Sequence, residues 1–204
     1  MDDRELIESC KEGNMNAFNT LYDKYCSQAL RTAYLVTGNK ELAEDVVQET
    51  FIKCYMHISK LKDPQAFKAW FYKILTNLCY RMKTKERDNL SIDEISDKGI
   101  QLLQHSLGLD NAMEAKEIQL MVHEAISQLK PSLKTIVILY YFNDLSIKEI
   151  AKAVGCFEGT VKSRLHSARK ILMKQIEHNQ IVEVYFSEIN NEKEVDFNAK
   201  TSLF

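Results

Sequence analysis

Leu145-Ser146-Ile147-Lys148-Glu149-Ile150-Ala151, then Gly155, then Gly159-Thr160-Val161-Lys162-Ser163-Arg164-Leu165, is the stretch that decides the fold of this 204-residue chain. Ser146 and Glu149 have capping-box spacing, in which hydroxyl and carboxylate satisfy each other's orphan amides at a helix start. Ile150, Ala151 and Val154 form the inner face of that helix, and Gly155 turns the chain. Thr160-Val161 with Leu165 then begins a second amphipathic helix. Two short helices joined by a glycine-containing turn, the second one basic, describe a helix-turn-helix. An ordinary helical hairpin has the same outline, so both readings stand on this stretch alone.

The rest of the chain is written in the same idiom. Six glycines and two prolines are too few for a turn-rich β fold and favour long helices. Apolar residues recur at helical spacing over 3–12 and 16–37, as in Phe18, Leu21, Tyr22 and Tyr25, then Leu30, Ala33 and Tyr34. Gly38 stops that helix and Asn39 caps the next. This next helix, 40–58, places Leu42, Val46, Val47, Phe51, Ile52 and Tyr55 on one face and Glu41, Glu44, Asp45 and Glu49 on the other. Asp63-Pro64 predicts a cap with proline at the first helical position. The helix that follows, to about Lys85, buries Phe67, Trp70, Phe71, Ile74, Leu75 and Leu78. Periodicity fades from Asp88 to Gly108, and further helices are expected over 111–128, 132–142, 146–153 and 157–178. The segment Ile181–Phe186 has the composition of a strand.

A net charge of −2 hides a strong segregation. Residues 60–87 carry eight Lys/Arg against Asp63 and Glu86, a net of +6, and 156–176 are net +4. Residues 88–127 are net −6 and 177–204 net −4. Two basic blocks on an acidic background fit two contacts with a polyanion; solvated helix faces are the other reading. No stretch approaches the ~18 apolar residues of a membrane helix. The acidic start, Met1-Asp2-Asp3-Arg4-Glu5, is the reverse of a signal peptide. The five scattered cysteines form no C-x-x-C pair, so no metal site or disulfide framework is expected, and a reduced cytoplasmic setting is. No nucleophile–base pair or phosphate loop marks an enzyme, and no cofactor is implied.

Four blocks carry a resemblance. Ala43-Glu44-Asp45-Val46-Val47-Gln48-Glu49-Thr50-Phe51 and Phe67-Lys68-Ala69-Trp70-Phe71-Tyr72-Lys73-Ile74, with Asn77, are similar to sigma region 2. Leu145–Ala151 and Gly159-Thr160-Val161-Lys162-Ser163-Arg164-Leu165-His166-Ser167-Ala168-Arg169 are similar to sigma region 4. Together, over about residues 14–176, the chain resembles the extracytoplasmic-function (ECF) subfamily of the sigma-70 factors of bacterial RNA polymerase. The resemblance implies an all-α fold of two helical domains joined by a flexible linker. Their limits would be region 2 over 1–87, a linker over 88–110, region 4 with its helix-turn-helix over 111–178, and a tail of unassigned role over 179–204.

It also implies a division of labour. Glu41, Glu44, Asp45, Gln48 and Glu49 would dock on the clamp helices of the polymerase largest subunit, an acidic face suited to Arg/Lys partners. Lys60, Lys62, Asp63, Asn77, Arg81, Lys83, Lys85 and Arg87 would hold the non-template strand at the −10 element, with Asn77 on a base edge and the cations on phosphates. Trp70 could stack on a base, but its place in the apolar stripe favours core packing. Thr160, Lys162, Ser163, His166 and Ser167 would face the major groove at the −35 element, with Arg164, Arg169 and Lys170 nearer phosphates. Two departures from the family stand out: Phe157 where serine or proline is usual, leaving Glu158 as a substitute cap, and Ser167 where arginine is usual.

The partners implied are core RNA polymerase, including its flap, promoter DNA and an anti-sigma factor. A linker of about 20–25 residues at roughly 3.3–3.6 Å each spans the ~70–85 Å that separate elements about 20–25 base pairs apart. Two other functions were open to such a chain. The acidic helix and second basic block argue against a polymerase-independent helix-turn-helix regulator, and the basic recognition helix argues against a DNA-independent sigma mimic that sequesters a regulator.

Overall fold

The computed structural model describes residues 3–87 and 122–176. The expected linker, the start of the helix over 111–128 and the tail with its strand-like Ile181–Phe186 lie outside the described residues. Among the described residues, regular structure is helical throughout. Helices α1 (Asp3–Lys11), α2 (Met15–Thr37), α3 (Lys40–His57) and α4 (Phe67–Arg87) make the first unit. Residues 122–127, which are helical, and α5 (Pro131–Tyr141), α6 (Ile147–Val154) and α7 (Glu158–Ile176) make the second.

Local chemistry sets the boundaries. Asn14 Oδ1 accepts from the amides of Asn16 (3.0 Å) and Ala17 (3.2 Å) and starts α2. Gly38, at φ 81°, takes the left-handed turn that ends it, and Asn39 Oδ1 accepts from Leu42 N–H (2.9 Å) to start α3. The capping box on α6 is formed: Glu149 Oε2 accepts from the Ser146 amide at 2.8 Å, and Gly155, at φ 69°, ends the helix. Asp63 caps as the sequence indicates, but it starts a 3-10 turn, Pro64–Ala66, and α4 proper begins only at Phe67. At the start of α7, Phe157 can offer only its carbonyl, which accepts from Thr160 (2.9 Å) and Val161 (3.1 Å).

In the first unit an aromatic cluster holds α2, α3 and α4 together, with Tyr25 against Phe67 (5.3 Å between rings) and Phe51 against Phe71 (5.2 Å). Trp70 is half-buried on Phe67, as core packing requires. In the second unit Ile136, Leu139, Ile150, Val161, Leu165 and Leu172 fill the space between α5, α6 and α7. One expectation about the core fails. Ile52 and Tyr55 are exposed, because the side of α3 facing α2 and α4 is formed by Ala43, Val46, Val47, Thr50, Phe51 and Cys54. Ile52 lies about 100° around the helix from Phe51 and misses that side.

The two units are packed against each other, α5 on α2 and α6 along α4. The fully buried Asn143 donates through Nδ2 to Thr32 Oγ1 (2.9 Å), whose own proton goes to the Gln28 carbonyl (2.8 Å). Gln28 Nε2 in turn donates to the Phe142 carbonyl (3.1 Å). Tyr80 of α4 reaches the Pro131 carbonyl (3.1 Å) and Thr135 Oγ1 (2.5 Å) on α5. His123 stacks on Tyr34 at 5.5 Å. This seam is therefore part apolar and part hydrogen-bonded.

Candidate functional site

Three surfaces collect the residues singled out from the sequence. On α3, Glu41, Glu44, Asp45 and Gln48 are exposed, and Lys40 pairs with Glu44 at 3.3 Å. Glu49 is half-buried and engaged: Arg81 Nη2 of α4 donates to it at 2.6 Å and Lys53 lies at 3.3 Å. Partial burial works to raise the Glu49 carboxyl, but the hydrogen bonds and charges of Arg81 and Lys53 outweigh it and hold the group below its ordinary range. Glu49 and Arg81, assigned from the sequence to separate surfaces, thus form one bridge between α3 and α4.

The second surface runs from the 58–66 segment along α4. Lys60, Lys62, Asn77 and Lys85 are exposed, Asn77 and Arg81 lying one turn apart on one face. Asp63 is occupied locally, its Oδ1 accepting from the Gln65 amide at 3.0 Å. Lys83 is turned inward and donates to the carbonyls of Thr37 (2.7 Å) and Val36 (3.4 Å), neutralising the negative end of α2. The side chain of Arg87 lies outside the described residues.

The third surface is the outer face of α7. Lys162, Ser163, His166, Ser167 and Lys170 are exposed, while Val161, Leu165, Ala168 and Leu172 hold the helix to its unit. Thr160 is half-buried. Arg169 is half-buried and oriented, with Nε donating to Tyr141 Oη at 2.7 Å and its guanidinium 5.9 Å from the centre of that ring. Arg164 is half-buried and lies near Tyr80 of the other unit. Burial raises the Tyr80 hydroxyl, and Thr135 and Arg164 partly offset that by favouring the charged form.

Sequence reasoning missed two features. Ile52, Tyr55 and Met56 continue the exposed face of α3 beyond its acids; continuing the i, i+3, i+4 pattern from Asp45 and Gln48 would have found them. Lys134 of α5 shares a cleft at the seam with Lys83, Tyr80 and Thr84. Burial, and then the charge of Lys83, lower its ammonium to about 8. Nothing local in the sequence marks it. Among the described residues no group of His, Cys, Asp and Glu is placed to hold a metal, and no helix is long and apolar enough to cross a membrane.

Known proteins resemble both units of the chain. The family description "Sigma-70 region 2" matches residues 21–88, which contain α3 and α4, and "Sigma-70, region 4" matches 119–172, which contain the helix-turn-helix. The ECF RNA polymerase sigma factor SigW of Bacillus subtilis (strain 168) is 30% identical over 179 residues, covering 85% of this chain and 96% of that protein. The ECF RNA polymerase sigma-E factor of Haemophilus influenzae is 32% identical over 186 residues, covering 87% and 96%. Among solved structures, the sigma factor RpoE from Bartonella quintana, in complex with the anti-sigma factor NepR, shares the fold with a TM-score of 0.61 at 22% identity, over 79% of this chain and 99% of that one. With regions 2 and 4 matched in order and the Bacillus factor aligned over 96% of its length, the chain belongs to the ECF sigma factors of the sigma-70 family.

Proposed function

We propose that this ECF sigma factor docks on core RNA polymerase through α3, grips the opened −10 element with α4 and the 58–66 segment, and reads the −35 element with α7. It works in the cytoplasm, takes no catalytic part, and is held by an anti-sigma factor when not in use, as the NepR-bound relative supports. The observation that carries this reading is the exposure, on one chain, of an acidic helix face and a separate basic recognition helix. The acidic face of α3 repels DNA and calls for a basic protein partner, whereas Lys162, His166 and Lys170 on α7 suit a polyanion.

At −10, Lys60, Lys62 and Lys85 supply exposed phosphate contacts and Asn77 offers both donor and acceptor to an extruded base. At −35, Lys162 and His166 point to base edges, with Thr160, Ser163 and Ser167 beside them and Lys170 at the backbone. The deciding experiment mixes the full chain with core polymerase and a forked promoter fragment and follows all three by size-exclusion chromatography. Co-elution with polymerase, and DNA retained only when both proteins are present, is the expected result. Tight duplex binding by the chain alone, without association with polymerase, would establish the polymerase-independent regulator instead.

A further inference from the structure

The seam between the two units holds a pair of ammonium groups that no acid answers. Lys83 of α4 and Lys134 of α5 line a cleft of about 100 Å³ with Tyr80, Thr84, Val36 and Pro131. Lys83 is fixed in its wall by the carbonyls of Thr37 (2.7 Å) and Val36 (3.4 Å). The helix end it meets there carries roughly half a negative charge, so about half of its own charge stays unbalanced. Lys134 is half-buried, and only burial and the charge of Lys83 act on its ammonium; among the described residues no carboxylate opposes them. His123, 8% exposed, cannot help: burial and then the charge of Lys134 keep its imidazole neutral. The hydroxyl protons in the cleft are already committed, Thr84 donating to the Tyr80 carbonyl (2.9 Å) and Tyr80 to the Pro131 carbonyl (3.1 Å). What the cleft offers a ligand is therefore a compact positive charge of roughly 1.5 units.

We propose that this cleft binds one phosphoryl group, held between Lys83 and Lys134. Charge and size select that chemistry. A phosphate monoester carries about −1.5 to −2 at pH 7, which matches the pair, whereas a carboxylate leaves part of it unanswered. Lysine serves phosphate as a point charge, with no need of the planar fork that arginine gives a carboxylate. The cleft has space for several waters, enough for one tetrahedral group. Duplex DNA is too bulky to follow a single phosphate into it. The two cations come from different units, so the complete site exists only while α4 and α5 are packed together. A ligand with affinity for that form alone stabilises it by mass action. On the promoter-binding reading above, which requires the units to part, bound phosphate is then a brake on initiation.

The test needs neither polymerase nor DNA: inorganic phosphate is titrated into the full chain by calorimetry at pH 7.5, in chloride of matched ionic strength. One saturable site is expected, with a melting temperature that climbs as phosphate is added. Lys134→Met should weaken that site by about 10- to 100-fold and abolish the climb, while Lys134→Arg keeps most of both. Lys134→Met removes a half-buried charge, so it folds, and circular dichroism checks this. Lys152→Met, which takes an exposed charge from α6, should bind as the parent does. Thr84→Glu should place a carboxylate in the cleft, raising the melting temperature without phosphate and blocking its binding. Adenosine monophosphate binding at least as tightly as phosphate would make the ligand an ester, and phosphate binding alone would make it the free ion; either keeps the site. Equal phosphate binding by the parent and Lys134→Met would mean an adventitious ion only, held on the DNA-binding faces, and would overturn the proposal. The brake has its own readout. Phosphate should reduce promoter retention by the polymerase complex more in the parent than in Lys134→Met, and equal reduction would be ordinary salt competition and would remove the brake.

Discussion

Lys162 and Arg164 show how two cations two positions apart acquire different tasks. Lys162 is exposed on the same face as His166, one turn away, while Arg164 is half-buried with its charge near Tyr80. Lys162→Ala is therefore expected to cost about 1–3 kcal/mol on the cognate −35 element and to relax discrimination there. Binding of holoenzyme to a panel of −35 variants measures it, and an unchanged preference would remove α7 from the groove. Lys134 gives a prediction of a different kind. The unfolded chain holds that proton to about pH 10.4, but the folded chain releases it near 8. At neutral pH both states are charged and the cost of burying the ammonium beside Lys83 is present in full. Stability should rise between pH 8 and 10 as the folded state sheds the proton first. Lys134→Met should thus raise Tm by roughly 2–4 °C at pH 7.5, with the gain shrinking toward pH 10. A gain that stays constant with pH would contradict this assignment.

Helices are where the sequence was most legible. Gly38 with Asn39, and Ser146 with Glu149 and Gly155, act through neighbours at most four residues away, so their spacing alone located the ends of α2, α3 and α6. Asn39 is the most telling of these, because its carboxamide starts the helix read as the docking element. Asn39→Ala should cost about 0.5–2 kcal/mol of stability and fray the first turn of α3, which carries Glu41. Denaturant titration measures the loss, and Asn39→Ser should recover most of it. Faces were less legible than ends. An apolar run broad enough to include Ile52 and Tyr55 reads as core in a one-dimensional pattern. Which side of α3 is buried depends on where α2 and α4 lie, and no local signal in α3 encodes that. The Glu49–Arg81 bridge, 32 positions apart in sequence, was hidden for the same reason.

At the scale of the molecule, the packing of region 2 on region 4 has a functional consequence. The Asn143–Thr32 and Tyr80–Thr135 bonds join residues 111 and 55 positions apart, and no motif announced them. Promoter elements about 20–25 base pairs apart are separated by roughly 70–85 Å, so units in hydrogen-bond contact cannot occupy both. The seam also holds one candidate phosphate contact from each DNA-binding set, Lys83 and Arg164. Engagement of both elements must part the units, and a seam with a buried polar pair and two facing lysines is suited to separate without exposing a wholly apolar face. Dipolar spectroscopy between labels at Glu12 and Lys174, both exposed and outside the DNA-binding sets, should show the distance lengthening by tens of ångströms on assembly with polymerase and promoter. An unchanged distance in the assembled complex would contradict the two-element reading. As a sigma factor, this chain should give polymerase its choice of promoter. Run-off transcription from a set of genomic fragments, with core polymerase alone and with the chain added, reads that choice out. Discrete transcripts from a small subset of fragments, present only with the chain and sharing paired upstream elements, are predicted; a transcript pattern that the chain leaves unchanged would remove the promoter-selecting role.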